Sequence, residues 1–135
     1  ACHRYGNAGG MNGPDLTGAG GRYSPHDLLD QIINPSKEIN EQFAPIIVTK
    51  NNGDTLTGVI VNLNGDSVVV NTDLSDPDQR VNVDRKEVKS IERSAISPMP
   101  PMLLSMLTQD EILDLVAYVL SGGDKEKPVF KKAAK

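Results

Sequence analysis

The chain has 135 residues, which is enough for one domain or for a small domain that carries an insert. Its net charge is -4 with both signs interspersed, so we expect no nucleic-acid surface; only the tail from Lys125 to Lys135 is basic. No apolar run approaches the roughly 20 residues of a membrane-spanning helix, and the single cysteine excludes an internal disulfide framework.

The chain opens with the adjacent pair Cys2-His3. A c-type haem attachment site ends in this way: the thiol adds to a haem vinyl group, and the neighbouring imidazole becomes an axial ligand of the iron. A small buried thiol beside a surface histidine is the alternative interpretation of the same pair.

Residues 4–23 are rich in glycine, which predicts a loop. Within it, Gly13-Pro14-Asp15-Leu16-Thr17-Gly18 is a turn that is suited to close approach of a flat ligand. A plain surface turn is the alternative for this motif.

A helix is predicted to begin at Pro25, with Ser24 as the N-cap, and to end before Pro35. His26 could serve as a second iron ligand, but an exposed histidine at a helix start is the interpretation that we favour. Residues 36–42 could add a short helical turn.

From Ile46 the apolar pattern alternates, which predicts five short strands separated by tight turns. They indicate a small bent antiparallel sheet or a partly closed barrel, and the pattern also resembles SH3-like and Sm-like barrels. The strands contain no aromatic residue on which bases could stack, so we interpret the segment as a structural insert. The predicted strands are residues 46–50, 56–63, 67–71, 80–83 and 88–93.

Met99 lies in the stiff segment Pro98-Met99-Pro100-Pro101, where its thioether could serve as a soft iron ligand. Its rivals are Met102 and Met106, which fall on a helical-looking run over residues 102–107, and Met11 in the first loop. A closing helix is predicted from Gln109 to Ser121, with a Thr108–Glu111 capping box and Gly122-Gly123 as its stop.

In this order, the motifs resemble the haem-binding c-type cytochrome domain found at the C-terminal ends of large planctomycete and verrucomicrobial proteins. The resemblance extends to about Ser121. It departs from the family at the start, because the pattern there is C-x-x-C-H and the first cysteine would precede Ala1. Either the chain is a truncated form or a single thioether holds the haem. The matching segments are Cys2-His3, the Gly-Gly and Gly-Pro-Asp-Leu-Thr-Gly turn, Arg22-Tyr23-Ser24-Pro25, Asp27-Leu28-Leu29, Asn34-Pro35-Ser36-Lys37, Asn52-Gly53-Asp54, Thr57-Gly58, Ser97-Pro98-Met99-Pro100, Leu107-Thr108 and Leu115–Leu120.

The resemblance implies a mostly α, cytochrome c-like fold with an inserted small antiparallel β sheet or barrel. Residues 1–45 and 94–123 would form the haem-binding domain, 46–93 the five-stranded insert, and 124–135 a flexible basic tail. The helix that precedes the attachment cysteine in class I cytochromes would be missing.

The resemblance also implies the site. Cys2 would anchor haem c, and His3 and Met99 would be the axial ligands. Pro14 would pack on the histidine while the carbonyl of its neighbour accepts the Nδ1 proton. Leu16 would contact the ring face. These roles come from the family's motifs, and Arg22 and Tyr23 are added as candidates for a haem propionate because a guanidinium fork suits a carboxylate.

The expected function is electron transfer by one haem in a periplasmic or otherwise exported chain. The partner would be a redox protein or a fused dehydrogenase, without catalysis by the chain itself. Three alternatives stay open: a non-redox interaction module built on the β insert, a haem enzyme such as a peroxidase, and a zinc site at Cys2 and His3 that has too few ligands.

Overall fold

A computed structural model describes residues 1–124 and 126–127. In this part of the chain there are seven strands in two antiparallel sheets and two short α-helices. The described residues form two compact units: one comprises Ala1, His3–Glu38 and the described residues from Met99 on, and the other comprises Cys2 and Ile39–Pro98. Most of the predicted basic tail, 124–135, lies outside the described residues.

The expected mostly α, cytochrome c-like fold is therefore wrong, because the protein is β-rich. The helices span only nine and 13 residues. Glycines recur through residues 4–23 ahead of the first helix and prolines through 98–101 ahead of the second, and neither residue propagates a helix. The alternative of a barrel also fails over the described residues, since the two outer strands of the larger sheet do not pair with each other.

The first unit begins with a hairpin that we did not expect within the predicted glycine-rich loop. Strand β1 (Arg4–Tyr5) pairs with β2 (Ala8–Gly9) in antiparallel register. Gly6 is the first residue of the two-residue turn and has a φ of 60°, which glycine adopts without steric cost.

Helix α1 (Pro25–Ile33) has the predicted bounds and cap. The Ser24 side chain accepts a hydrogen bond from the Asp27 N–H at 3.1 Å, and Pro25 fills the first turn, where its missing N–H costs nothing. A short 3-10 turn at Glu41–Phe43 takes the place of the helical turn predicted over residues 36–42.

Helix α2 (Gln109–Ser121) also begins and ends as predicted. Thr108 and Glu111 form the reciprocal capping box, with bonds of 3.3 and 2.7 Å. Gly122 ends the helix in the left-handed conformation, at a φ of 70°. In the described residues, no helix has the length and apolar character to cross a membrane.

The core of the first unit is small. A short 3-10 turn at Ala19–Gly21 lies so close to α2 that a Cβ on Gly20 would overlap the Leu120 carbonyl oxygen. Tyr5 packs against Tyr118 with ring centroids 5.2 Å apart and donates a 2.7 Å hydrogen bond to its carbonyl. The buried apolar residues of this core are Ala19, Leu28, Val116 and Val119.

The run over residues 102–107 is not a helix but a series of turns. Met102 has a positive φ of 66°, which interrupts any helix at the first residue of this run. The bonds that follow reach only three residues back, from Ser105 N–H to the Met102 carbonyl and from Leu107 N–H to the Leu104 carbonyl.

The second unit is a five-stranded antiparallel sheet of spatial order β6-β5-β4-β3-β7. Its strands match the predicted ones closely, with differences of one residue at three strand ends. The last strand returns to pair with the first, so that Ile46 lies opposite Arg93. The strands are β3 (Ile46–Lys50), β4 (Thr55–Asn62), β5 (Ser67–Asn71), β6 (Arg80–Asp84) and β7 (Val88–Arg93).

Valine side chains form the core of this sheet, as expected for strands of β-branched residues. Strands β4 and β5 approach so closely at Gly58 that a Cβ there would overlap the Asn71 carbonyl oxygen. The buried Asn71 side chain is satisfied, since it accepts from the Asp73 N–H and donates to the Asp76 carbonyl. The fully buried side chains are Val48, Val68, Val70 and Val83.

Candidate functional site

The candidate site is built around the imidazole of His3, which immediately precedes β1 and is half-buried. His3 Nδ1 lies 2.7 Å from the carbonyl oxygen of Pro14. A carbonyl can only accept, so Nδ1 carries the proton and Nε2 of the neutral ring carries the lone pair. We had expected the carbonyl of a neighbour of Pro14; the acceptor is the carbonyl of Pro14 itself, because the peptide of Pro14 faces the ring.

Gly13 is a site residue that the sequence analysis placed in a turn motif but did not connect with His3. A Cβ on Gly13 would lie 2.8 Å from His3 Cε1 and 2.9 Å from Nδ1. Only glycine leaves room for the ring at this point. The sequence did contain a signal for this contact, because Gly13 directly precedes Pro14, whose carbonyl accepts from His3.

Asp15 and Thr17 stabilise the loop that carries Pro14. The Asp15 carboxylate accepts from both the N–H and the hydroxyl of Thr17, at 2.9 and 2.5 Å. These bonds hold the pKa of Asp15 below its ordinary value, with smaller contributions in the same direction from Arg4 and Arg22. Asp15 therefore stays ionised, and the loop keeps its shape, into acidic solution.

Cys2 has a free and exposed thiol, and it is the residue directly before His3 in the sequence. In the described residues, no three or more histidine, cysteine or acidic side chains gather as a metal cluster. A haem needs no such cluster, since its porphyrin supplies four of the iron ligands and the protein only the axial ones.

Arg22 and Tyr23 lie next to the loop. The Arg22 guanidinium donates a 2.6 Å hydrogen bond to the Asp15 carbonyl and lies 5.8 Å from the centre of the Tyr23 ring. Both residues line an open polar groove together with residues of α1 and the chain that follows it. Leu16 packs against the core of the first unit.

Met99 lies in the same compact unit as His3 and is half-buried. Its three rivals are far more exposed, at 79% for Met11, 75% for Met102 and 91% for Met106. His26, the other histidine, is also exposed and lies 3.6 Å from the Asp27 carboxylate, as expected for a residue at a helix start.

The first unit exposes more apolar surface than its small core would suggest. Four large apolar side chains that follow Met99 in the sequence remain accessible, although burying each would contribute about 1.5–3 kcal/mol. The oriented imidazole of His3 and the thiol next to it in the sequence are groups of the kind that hold a haem c. The four exposed residues are Met102, Leu103, Met106 and Leu107.

Comparison with known proteins adds no assignment. No family model matches the chain, and no curated protein is similar enough to indicate a family.

Proposed function

We propose that this chain holds one haem c covalently and serves as an extracytoplasmic electron carrier. The observation that supports this best is the 2.7 Å hydrogen bond from His3 Nδ1 to the Pro14 carbonyl. An iron-ligating histidine commonly donates its other ring N–H in this way, which fixes the tautomer and makes the ligating nitrogen more basic. When bound, a haem iron supplies one-electron exchange between its ferrous and ferric states.

Cys2 would provide the covalent anchor. Its exposed thiol precedes His3 directly, which is the spacing that a thioether and an axial imidazole on one haem require. Because the imidazole is already held by Pro14, attachment would not need to order the ligand first.

Met99 would provide the second axial ligand. Prolines stiffen the chain on both sides, and Met99 is the methionine best protected from water. Thioether and imidazole together would occupy both axial positions, and this pair raises the reduction potential. With both positions taken, a substrate has no place to bind, so the ligand pair favours an electron carrier over a haem enzyme.

Arg22 would pair with a haem propionate, and Tyr23 would add a hydrogen bond. One nitrogen of Arg22 is held by the Asp15 carbonyl, which orients the planar fork, while a guanidinium has further N–H donors for a carboxylate. The electrons would come from a redox protein or from a dehydrogenase fused to this chain.

One observation favours a second candidate function, a non-redox interaction module. Strands β6 and β7 are the edges of the five-stranded sheet, and Val81 and Ile91 on them are partly exposed. An exposed edge can pair with a strand of a partner. This function requires no haem, so a measurement of whether the chain carries haem distinguishes the two proposals.

The test is expression in the periplasm of a bacterium that carries a c-type haem maturation system, followed by intact mass measurement. We expect the mass of the chain plus one haem and a haem α band after reduction in alkaline pyridine. A Cys2→Ser variant is the control, and it should lose the covalent increment.

A second version of the chain, extended by Cys-Gly ahead of Ala1, completes the C-x-x-C-H pattern and tests whether one thioether is enough. Covalent haem in the extended form alone would show that the second cysteine is needed. If both forms are colourless and have the mass of the bare chain, the proposal of haem binding is wrong.

A further inference from the structure

Three hydrogen bonds join His3 and the hairpin that follows it to the loop that carries Pro14. The first is the bond from His3 Nδ1 to the Pro14 carbonyl, and the second is a 2.9 Å backbone bond from Leu16 N–H to the Arg4 carbonyl. The adjacent residues His3 and Arg4 thus contact Pro14 and Leu16, which are two residues apart. The position of the Pro14 carbonyl therefore depends on how the loop lies against the hairpin.

The third bond depends on the side chain of Thr17, which lies in the loop. The Thr17 hydroxyl oxygen accepts from the Gly6 N–H at 2.9 Å, while the same hydroxyl donates to Asp15 Oδ1 at 2.5 Å. A hydroxyl has one proton to donate. Because this proton goes to Asp15 while the oxygen accepts from Gly6, the orientation of the Thr17 hydroxyl is fixed. Thr17 thereby links the turn of the hairpin to the carboxylate that shapes the loop.

Two arginines add one bond each. Arg22 donates to the Asp15 carbonyl of the loop at 2.6 Å, and within the hairpin the Arg4 Nε–H donates to the Gly6 carbonyl at 3.1 Å. Asp15 is the residue directly after Pro14, so a loosened Asp15 would let the peptide of Pro14 rotate away from the ring.

We propose that Thr17, acting with Asp15, is a positioning residue for His3: it keeps the Pro14 carbonyl on Nδ1 and so holds the imidazole in the form whose Nε2 has no proton. The meaning of this role for function rests on the proposed haem site, because only a histidine that ligates through Nε2 needs that form. The geometry itself does not depend on haem.

The second unit contains a matched control. Asp73 and Ser75 repeat the local arrangement, since Asp73 Oδ1 accepts from the N–H of Ser75 at 2.9 Å and from its hydroxyl at 2.6 Å. The same two bonds lower the pKa of Asp73 as those of Thr17 lower that of Asp15. The Asp73–Ser75 pair contains no residue of the His3 loop, so its loss should leave His3 unaffected.

The experiment measures the tautomer of His3 in the full-length chain without haem. Long-range proton–nitrogen spectra of histidine-labelled protein in alkaline buffer distinguish a ring protonated at Nδ1 from one protonated at Nε2, and exposed His26 serves as the internal reference. In Thr17→Val we expect the Nδ1-H to Nε2-H ratio of His3 to fall about tenfold, as for a hydrogen bond weakened by about 1.4 kcal/mol.

Thr17→Ser retains the hydroxyl and should restore the ratio, while Ser75→Ala should leave it at the wild-type value. If Thr17→Val does not fold, Asp15→Asn tests the same contact, because an amide weakens the bond to the hydroxyl. A folded variant with an unchanged ratio, or an equal change in Ser75→Ala, would overturn the proposal.

This result is independent of haem attachment. If the chain never acquires haem but the tautomer ratio falls in Thr17→Val, the proposed function fails and the positioning role stands. If haem attaches and the ratio does not change, only the positioning role fails. In a haem-loaded chain, Thr17→Val should also raise the reduction potential, because a ligand that donates a weaker hydrogen bond is less basic.

Discussion

Two consecutive residues of one loop hold the imidazole of His3. Pro14 accepts its Nδ1 proton, and Gly13 gives the ring the space that a side chain would occupy. A short sequence can therefore define both the orientation and the tautomer of an imidazole.

Gly13→Ala should displace His3 and destabilise the first unit by about 1–3 kcal/mol, because its Cβ would lie 2.8 Å from Cε1 of the ring. Urea unfolding measures the cost. Gly18→Ala is the control, since a Cβ at Gly18 meets nothing within 4 Å and its φ of -95° suits alanine. Equal effects of the two substitutions would contradict the proposed contact.

Met99→Ala should lower the reduction potential of the haem-loaded chain and let cyanide bind rapidly, because the thioether that favours the reduced iron is lost. Redox titration and the charge-transfer band of iron–thioether bonds report the change. Met106→Ala, at a side chain that is 91% exposed, should alter neither. An unchanged potential in Met99→Ala would exclude Met99 as the ligand.

At the scale of elements, the caps and the strand alternation allowed accurate prediction. Ser24 and Thr108 form the predicted bonds, and β3, β5 and β7 have the predicted bounds, because these signals act within a few residues. The β1–β2 hairpin was missed because two-residue strands are too short to show alternation.

Thr108→Ala should destabilise the unit that contains α2 by about 1 kcal/mol, because the Glu111 N–H loses its acceptor and half of the capping box is removed. Helix content and urea midpoints measure the effect. Thr108→Ser keeps the hydroxyl and should cost much less. Equal losses in the two variants would show that the hydroxyl is not the cause.

Gly58→Ala should destabilise the five-stranded sheet by about 2–3 kcal/mol, since β4 and β5 would have to move apart to admit the methyl group. Thr57→Ala, at the exposed neighbouring position, is the control and should cost well under half as much. Hydrogen exchange of the β5 amides would locate the damage. Protection that is unaffected in Gly58→Ala would contradict the close approach.

At the scale of the whole molecule, local prediction was not sufficient. The order of motifs suggested a helical protein, but order says nothing of how much of the chain each type of structure occupies. The return of β7 to β3 was also not predicted, because pairing between Ile46 and Arg93 leaves no short-range pattern. For the site, the motif resemblance predicted that Pro14 lies beside His3 but assigned the hydrogen bond to the carbonyl of a neighbour. Gly13 and Thr17 depend on three-dimensional proximity.

Acid should destabilise the protein through several exposed carboxylates. Hydrogen bonds hold the pKa values of Asp15, Asp30 and Asp73 below their ordinary values, and the hydrogen bond from Arg93 does the same for Glu41. As the pH falls, the unfolded chain binds protons before the folded one does. The contribution of these groups to stability is therefore complete at pH values above their ordinary pKa values. It is lost as pH falls through the lower folded values.

The free energy of unfolding should therefore decrease as the pH falls from about 5 to about 2. The decrease should be modest, because these groups are exposed to solvent. Arg93→Gln removes the donor at 2.8 Å from Glu41 and should flatten the part of the decrease near pH 4. Stability that rises on acidification would contradict the assigned hydrogen bonds.

The pairing of the first and last strands of the large sheet has a consequence for how such a chain could evolve. Just outside those strands, Ser94 N–H donates to the Pro45 carbonyl at 2.9 Å, so the polypeptide enters and leaves the sheet at the same point. A segment whose two ends touch can be acquired, exchanged or deleted while the neighbouring residues keep their course. Lineages could differ by the whole sheet and still share everything that contacts the imidazole.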